Sequence, residues 1–358
     1  MDTPIVISKQ GLLKTHLTIL SPCFYSNDRG LLSIFVIHSC HSIGTVMESP
    51  PSVNNPPWYR ALLRWVDSEA SDRDQFLERH SVEWLRVIPF GLVHLACAAV
   101  FWVGWSPLAV GVAFGAYCVR MFAITGFYHR YFSHRTFKTS RPIQFFFAVL
   151  GNSALQRGPL WWAAHHRQHH RYADQDNDPH SPHRHGFVWS HILWITSRKN
   201  FPTNMPAVRD LSRFPELRFL NRFDFLVPIL LACGMYLLGE QLIPYGTNGW
   251  QMLIWGFFVS TIVLFHATCT INSLSHQFGS RRFQTNEESR NNPLLALITF
   301  GEGWHNNHHF CPSACRQGFY WWEIDLTFIG LKSLSFLGII WDLNPVPDRV
   351  YQRAKEIA

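Results

Sequence analysis

Four long apolar stretches restrict the possible folds of this sequence more than any other feature. Three of them contain about twenty largely apolar residues, enough for a helix to cross the hydrocarbon core of a membrane. The third stretch is shorter and contains Pro228, which makes its ends hard to locate. The stretches cover residues 84–105, 108–128, 225–239 and 250–271. The sequence therefore predicts an all-α integral membrane protein with four transmembrane helices in two hairpins.

The composition indicates that a large polar part accompanies these stretches. Charged residues make up only 15% of the chain, against roughly 25% in an average soluble protein. The mean hydropathy of −0.02 is nevertheless too low for a protein made only of membrane spans. Composition alone leaves one alternative open, in which the four stretches are buried helices of a large soluble bundle.

The placement of basic residues predicts which side of the membrane each segment occupies. Residues 129–223 contain fourteen Lys or Arg and five Asp or Glu, whereas the connections at 106–107 and 240–249 contain no Lys or Arg. Cytoplasmic segments of membrane proteins are enriched in Lys and Arg. We therefore expect residues 129–223 and both termini in the cytoplasm, forming a helical cap on the spans. The net charge of +7 then belongs to a membrane-facing cytoplasmic surface, and no nucleic-acid partner is expected.

The chain as a whole divides into four segments by composition. Residues 1–46 show no signal-peptide order of basic, apolar and small residues, and a proline-rich linker follows them. We expect this extension to be disordered or not native, with Met47 as the natural start. A polar or amphipathic segment then covers 47–83, the main domain covers 84–345, and a tail covers 346–358.

Histidine clusters follow the predicted spans. The chain contains twenty histidines, and four short motifs concentrate them: HRYFSH, HRQHH, NSLSH and HNNHH. Under the predicted topology all four motifs lie on the cytoplasmic side, so they can converge. Nine histidines are candidate metal ligands: His129, His134, His166, His169, His170, His276, His305, His308 and His309.

The spacing within each motif carries geometric meaning on an α-helix. Residues at i, i+3 and i+4 share one face, so HxxHH presents three imidazoles together. The same rule aligns Asn272 with His276. HxxxxH separates His129 from His134 by about 140° around a helix, which favours contact with two different metals. Nine imidazoles exceed the needs of one ion, so the sequence predicts two ions with room for water or oxygen. Imidazole binds Fe, Zn, Cu and Ni, and ligand type does not choose among them.

These motifs carry a resemblance to a known family. HRYFSH, HRQHH and GEGWHNNHH, in this order around two membrane hairpins, resemble the three histidine boxes of membrane fatty-acyl desaturases, the stearoyl-coenzyme A group in particular. DPH at 178–180, NSLSH and WWEIDLT at 321–327 agree with the same family, and the resemblance covers residues 84–345. It implies two iron ions that use dioxygen and two electrons to remove two hydrogens from an acyl chain. The expected product is a cis double bond at C9–C10 of a saturated C16 or C18 acyl-coenzyme A.

The family pattern also assigns roles to residues near the histidines. Its second box takes His166, His169 and His170, and it leaves out His165, which we expect beside the ligands or at the surface. Asn272 is expected to hydrogen-bond a metal-bound water. Three carboxylates could orient ligand rings, or could equally belong to a solvated loop and a helix cap: Asp176, Asp178 and Glu302.

Further expectations concern the substrate. Tyr117 and Met121 lie four residues apart on the second span and could form the floor of an acyl tunnel, although helix packing explains them equally well. In the family that the chain resembles, small residues near this place admit longer chains, so the resemblance implies that Met121 favours C16 over C18. The resemblance implies that Gln156 and Trp162 lie near a bend of the tunnel. It also implies that Arg198 and Lys199 contact the phosphates of coenzyme A, unless they only extend to the membrane surface.

Electrons must come from a separate protein. The sequence contains no haem-binding HPGG-like stretch, no ferredoxin-type cysteine array and no dinucleotide-binding glycine motif. A cytochrome b5 or a ferredoxin with its reductase is therefore the expected donor, and an acidic carrier suits the basic cytoplasmic surface.

Three rival functions remain at this stage. A fatty-acyl hydroxylase uses the same scaffold, and a related desaturase acts on acyl chains already esterified to membrane lipids. A metal transporter would place acidic residues or histidines inside its spans, but here only His94 and His266 lie within them. Analysis of the product separates the hydroxylase from the expected activity, whereas the acyl-lipid substrate stays open because related enzymes use either carrier.

Overall fold

The computed structural model describes residues 62–63, 65–69 and 82–357, and all of them belong to one compact unit, Pro56–Ala358. The side chains of residues 85, 86 and 357 are not described. The predictions for residues 1–46 and for Met47, together with most of the segment 47–83, lie outside the described residues. The domain boundaries therefore stay predictions.

The described part of the chain is mainly helical. Its helices, in chain order, are α1 Trp84–Ala96, α2 Pro107–Ser133, α3 Arg141–Asn152, α4 Pro159–Tyr172, α5 Pro182–His185, α6 Phe187–His191, α7 Arg209–Ser212, α8 Pro215–Arg222, α9 Leu226–Gln241, α10 Gly249–Ser273, α11 Pro293–Ile298, α12 His305–Phe310, α13 Leu326–Phe336 and α14 Asp348–Ile357. Short 3₁₀ turns connect some of them: Leu193–Thr196, Arg198–Asn200, Met205–Val208 and Ile243–Tyr245. Two short antiparallel strands, β1 Lys138–Thr139 and β2 Ile340–Trp341, pair Lys138 with Trp341 and Thr139 with Ile340.

Two helices, α2 and α10, are long and apolar enough to cross a membrane, with 27 and 25 residues respectively. Each starts at a residue that caps the helix. Ser106 accepts a hydrogen bond from the Ala109 amide at 3.1 Å before Pro107 opens α2, and Asn248 accepts one from the Gln251 amide at 3.0 Å before α10. Such caps satisfy backbone donors that have no partner within the helix.

The other two predicted spans are shorter helices. α1 continues through a 3₁₀ turn, Cys97–Ala99, into Val100–Val103, and its apolar part is Val87–Val103. α9 follows α8 at a bend of 73°, and the pair is long enough to span only if both helices form one broken span. Among the described residues there are therefore two to three candidate membrane spans, and the four-span topology with a cytoplasmic cap stays a prediction.

The carboxyl-terminal part of α2 winds as a π-helix over Ala123–Ser133, and α10 has a π-helical stretch at Met252–Val259. A π-helix joins each amide to the carbonyl five residues earlier. The amide of His134 donates to the carbonyl of His129 in this way at 3.3 Å. The wider turn brings residues i and i+5 to the same side of the helix.

The main core surrounds this π-helical part of α2. The rings of Phe127 in α2 and Phe147 in α3 stack with their centroids 3.6 Å apart. Gly151 allows α3 to approach closely, because a Cβ there would lie 2.2 Å from the ring of Tyr128. Both Phe127 and Tyr128 are fully buried, and burial of each such side chain contributes about 1.5–3 kcal/mol. This packing fixes the end of α2 against α3.

Candidate metal centre

The nine predicted histidines converge into two adjacent groups. In each group one nitrogen of every ring lies within 4.8 Å of those of the others. The five-histidine group contains His129, His134, His166, His170 and His308. The four-histidine group contains His169, His276, His305 and His309. The structure therefore brings the histidines of the four motifs together, as the sequence predicted.

The spacing of the ring nitrogens fits metal ligands. In the five-histidine group, Nε2 of His134 lies 2.8 Å from Nε2 of His166, and Nε2 of His308 lies 3.0 Å from Nε2 of His129 and 2.9 Å from Nε2 of His170. Neighbouring ligands at right angles, each about 2.0–2.1 Å from one ion, lie about 3 Å apart. Each group can therefore hold one ion.

The prediction that His129 and His134 reach two different metals is wrong. Both belong to the five-histidine group, and their ring centroids lie 5.0 Å apart. The prediction assumed α-helical winding, in which five residues turn the chain by about 140°. The π-helical winding of this segment brings the two rings to one side instead.

Each HxxHH motif divides its rings between the two groups. In α4, His166 and His170 face the five-histidine group, whereas His169 faces the other. In α12, His308 joins the five-histidine group, whereas His305 and His309 join the other. The four-histidine group also receives His276 from the chain after α10, with its Nε2 3.1 Å from that of His305. Two short helices thus join the two groups into one centre.

Carboxylates hold the four-histidine group from outside. Asp178 lies 3.0 Å from Nδ1 of His169, and Asp174 lies 2.9 Å from Nδ1 of His276. Glu287 lies 3.6 Å from Nδ1 of both His276 and His309. A ring that donates from Nδ1 presents the lone pair of Nε2 to a metal in a fixed orientation.

The sequence identified only some of these acids. Asp178 contacts a ligand ring as expected, but the Asp176 side chain is 89% exposed and lies 3.6 Å from Arg184 instead. Asp174 and Glu287 were missed, because neither has a spacing that relates it to a histidine motif. His180 was missed as well, although it follows Asp178 and stacks on His169 with ring centroids 4.4 Å apart.

A single buried network supports the five-histidine group. Glu302 accepts from Nδ1 of His129 and also pairs with Arg130 at 3.1 Å. Arg130 is fully buried and makes a second ion pair, with Asp325 at 2.9 Å. Gln317 donates to Glu302 at 3.2 Å. Arg130 therefore holds the Glu302 carboxylate in place, and Glu302 in turn fixes the orientation of the His129 ring.

Burial keeps most of the ligand rings neutral. It lowers the pKa of four histidines well below the usual value, and charge repulsion from neighbouring imidazoles lowers it further: His134, His166, His170 and His308. The pKa of His305 and His309 is lowered for the same reasons. Burial lowers the pKa of His169 as well, but the carboxylates of Asp178, Asp174 and Glu287 together outweigh burial, so this pKa is raised. A neutral imidazole keeps the lone pair that a metal requires.

The donor set fits a transition metal rather than a hard cation. Nine imidazoles supply nitrogen ligands, which suit Fe, Zn, Cu and Ni, whereas magnesium and calcium prefer oxygen. Among the described residues, the buried Nδ1 atoms of His305 and His308 have no hydrogen-bond partner, so no carboxylate orients these two rings from that side.

His165 belongs to neither group. Its Nδ1 lies 3.0 Å from the carbonyl oxygen of Trp161, and its ring packs between Trp161 and Trp194. Burial lowers its pKa to about 4. Within the HHRQHH segment the structure therefore brings three histidines to the metal groups and directs the fourth into a tryptophan cluster, away from the protein surface.

Two adjacent cavities lie at the centre. The larger, about 260 Å³, is lined mainly by residues of α1, α4 and α10, and the smaller, about 40 Å³, is bounded by two histidines of each group. Both cavities are lined by Trp162, His166, His180, Thr268 and Asn272. These five residues therefore lie where the two cavities meet.

The predicted substrate residues have different positions relative to the two cavities. Gln156 lines the larger cavity, donates to Thr268 at 3.0 Å and accepts from Trp162 at 3.4 Å. Met121 is fully buried and lines the smaller cavity. Tyr117 lines neither cavity and donates to the carbonyl of Ile298.

The predicted cationic residues lie close to the wide cavity in sequence. Arg198 is exposed and Lys199 is half-buried in the 3₁₀ turn that separates Thr196 from Phe201. Thr196 and Phe201 both line the larger cavity. The turn therefore lies beside this cavity rather than inside it.

A comparison with known families supports the resemblance. The model of the fatty acid desaturase family matches residues 103–329 of this chain. This range begins just before α2 and includes all nine histidines of the two groups.

Several characterised proteins are similar over most of their length. An acyl-CoA 5-desaturase of Anemone leveillei is 36% identical over 278 residues, which cover 76% of this chain and 83% of the relative. An sn-2 palmitoyl-lipid 9-desaturase of Nostoc sp. is 36% identical over 72% of this chain and 89% of the relative. An sn-1 stearoyl-lipid 9-desaturase of Synechocystis sp. is 36% identical over 82% and 91%, respectively. With this similarity and the family match, the chain belongs to the fatty acid desaturase family.

Proposed function

We propose that the protein is a dioxygen-dependent desaturase that introduces a cis double bond at C9–C10 of a saturated C16 or C18 acyl-coenzyme A. The observation that carries this proposal is the pair of cavities beside the histidine groups, which share Trp162 and Asn272 among their lining residues. The larger cavity would take most of the acyl chain, and the smaller one is bounded by histidines of both groups. A chain in this path would place a central methylene pair beside the centre.

We propose that both histidine groups bind iron. When bound, the two ions would activate dioxygen, which takes two hydrogens from the chain together with two electrons from the donor and two protons, and is reduced to two waters. The protein contributes the position of the substrate and the exclusion of water. Burial and close packing achieve this exclusion: Met121, Ile124 and Ile271 line the small cavity together with the ligands. Asn272 lines both cavities and is proposed to hydrogen-bond a water ligand of the four-histidine group.

We propose that the place where the two cavities meet fixes the position of the double bond. Gln156 links Thr268 and Trp162 there by hydrogen bonds. An acyl chain that runs from the larger cavity into the smaller one would pass Thr268 and Trp162, so the number of carbons on each side would depend on the two cavities. Met121 closes the far side, and its long side chain favours C16 over C18.

The carrier of the acyl chain would bind at the entrance of the larger cavity. A coenzyme A head group carries several negative charges and requires cations at the entrance. Arg198 and Lys199 lie in the turn beside the wide cavity and suit this role. Arg157 lines the same cavity, but it already pairs with Asp224 at 3.2 Å.

An acyl-lipid substrate is the second candidate. The relatives in Nostoc and Synechocystis are named lipid desaturases, whereas the Anemone relative is named an acyl-CoA desaturase. The two groups have the same identity to this chain, so similarity supports either carrier.

We further propose that electrons come from a separate cytochrome b5 or ferredoxin with its reductase. The active site would then face the cytoplasm together with both termini, as the distribution of Lys and Arg suggests.

Expression in a host that cannot make unsaturated fatty acids tests the function. Mass spectrometry of total lipids should detect a new cis-9 C16:1 or C18:1 acid, and a double-bond derivative locates the position. A hydroxy acid in its place would identify a hydroxylase. The carrier is tested separately with purified enzyme, a reductant system and either palmitoyl-coenzyme A or a dipalmitoyl lipid. Conversion of the lipid alone would replace the acyl-coenzyme A proposal with the second candidate.

A further inference from the structure

An open groove of about 680 Å³ runs beside α13, and none of its lining residues lines the two cavities at the metal centre. Large apolar side chains form most of its walls: Trp321, Ile324, Phe328, Ile329, Phe336 and Leu337. Trp321 is 84% exposed and Phe336 is 91% exposed. A concentration of apolar surface of this kind indicates a partner that covers it.

The charges in the groove favour an anionic partner. Its two acids are already neutralised, because Glu323 pairs with Arg282 and Asp325 pairs with Arg130. Its two cations, Arg316 and Lys332, form no ion pair with any residue that the structure describes. Arg316 instead donates to the carbonyl of Tyr320, and its Nε atom is buried without a hydrogen-bond partner. The groove thus combines apolar walls with two uncompensated positive charges.

The groove lies at the depth where a membrane span would end. α13 packs on α2 through Thr327, whose hydroxyl lies 2.6 Å from that of Thr125, and through Leu331, which is next to Gly126. About twenty residues cross the hydrocarbon core, so a span that begins at Pro107 reaches the interface near Gly126. Tryptophans concentrate at this level of membrane proteins, and Trp321 is on the groove wall. Because α13 packs on this part of α2, the groove beside α13 would lie at the same depth.

We propose that this groove binds one anionic phospholipid of the surrounding leaflet. An acyl chain lies along Ile329 and Phe336, and the phosphate lies between Lys332 and Arg316. Apolar walls without cations would take any lipid, whereas the two cations select a head group with net negative charge.

The test uses the full-length protein, purified in mild detergent and incubated with equal amounts of phosphatidylglycerol and phosphatidylcholine. Native mass spectrometry then counts the lipids that remain bound. The wild type should retain phosphatidylglycerol in preference to phosphatidylcholine, and Lys332→Gln should reduce this retention about fivefold, the effect expected for one cation near a lipid head group. Lys355→Gln is the matched control, because Lys355 is also exposed but lies on α14 and does not line the groove.

Three results would overturn the proposal: equal retention of both lipids by the wild type, equal retention of phosphatidylglycerol by the Lys332→Gln and Lys355→Gln variants, or its displacement by glycerol phosphate in the millimolar range. The third would identify a phosphate site that does not need a lipid chain. Arg316 also donates to the carbonyl of Tyr320, so Arg316→Gln could unfold this loop. A thermal unfolding curve of that variant shows whether a loss of lipid binding comes from a loss of stability. Phe336→Ser tests the apolar wall, and it should weaken retention of both lipids.

Discussion

The two histidine groups differ in what surrounds them although their ligands are chemically identical. The five-histidine group has one contacting carboxylate, Glu302, which is shared with Arg130. The four-histidine group has three, Asp174, Asp178 and Glu287, for one fewer imidazole. Negative charge around a site stabilises the positive charge of a bound ion and makes its imidazoles better donors. The five-histidine group would therefore hold an ion mainly through the number of its imidazoles, whereas the four-histidine group would hold one through fewer imidazoles with more negative charge around them.

Removal of one ligand from each group should have the largest effect. His134→Ala in the five-histidine group and His276→Ala in the four-histidine group should each abolish product formation and reduce iron from about two ions per chain to about one. The ligands of the other group are untouched in each variant, so one ion should stay. Elemental analysis of the purified variants measures the iron. Loss of both ions from either variant would show that the groups cannot be filled independently.

Removal of the supporting carboxylates should have an intermediate effect. Asp178→Asn should weaken iron binding about 10–100-fold at the four-histidine group, because the ring of His169 loses its orienting acceptor. Glu302→Gln should weaken binding at the five-histidine group to a similar degree. Titration with a coloured iron chelator measures both affinities. Asp176→Asn is the control and should match the wild type, since that side chain is exposed and contacts no ligand ring.

A change at the closed end of the cavity should alter the product without altering either group. Met121→Ala opens space beyond the histidines, so the ratio of C18:1 to C16:1 product should rise several-fold while the iron content stays at the wild-type level. Gas chromatography of the products gives the ratio. Tyr117→Phe serves as the comparison, because Tyr117 lines neither cavity. An equal shift in both variants would mean that packing of α2, and not cavity length, sets the preference.

The smallest effect is expected at the neighbour of a ligand. His165→Ala should keep both iron ions and retain activity within about threefold, because His165 contacts Trp161 and Trp194 rather than a metal group. Its buried position predicts a lower thermal midpoint, since truncation leaves a void. Iron analysis and a melting curve separate the two consequences. Loss of an ion would place His165 among the ligands and contradict the division into five and four.

Sequence spacing predicted which histidines come together but not their division into two groups. Each motif shows which residues share a helix face, and this was enough to bring nine histidines into one centre. Assigning them to two groups requires the relative rotation of α4 and α12, which depends on packing against α2. The sequence also did not predict the π-helical winding at the end of α2, because π-helical and α-helical segments have no simple difference in composition.

The supporting acids were partly hidden for another reason. Asp174, Asp176 and Asp178 alternate in one loop, and their order alone does not show which side chains turn inward. Asp178 and Asp174 reach His169 and His276, whereas Asp176 points to solvent. Likewise, the length of α1 and α9 could not be read from hydropathy, because helix breaks at Cys97–Ala99 and at the bend before α9 shorten the regular segments.

The π-helical end of α2 has a consequence for insertions and deletions. A π-helical turn is equivalent to an α-helical turn that has absorbed one extra residue. His129 and His134, five residues apart here, therefore lie on one side just as a pair four residues apart does on an α-helix. A homologous chain that lost one residue between them, and returned to α-helical winding, would keep both rings directed at the same ion. What both chains would share is the helix face that carries the two histidines, and not the number of residues between them. A sequence search that requires five residues from one histidine to the next would therefore miss the equivalent site.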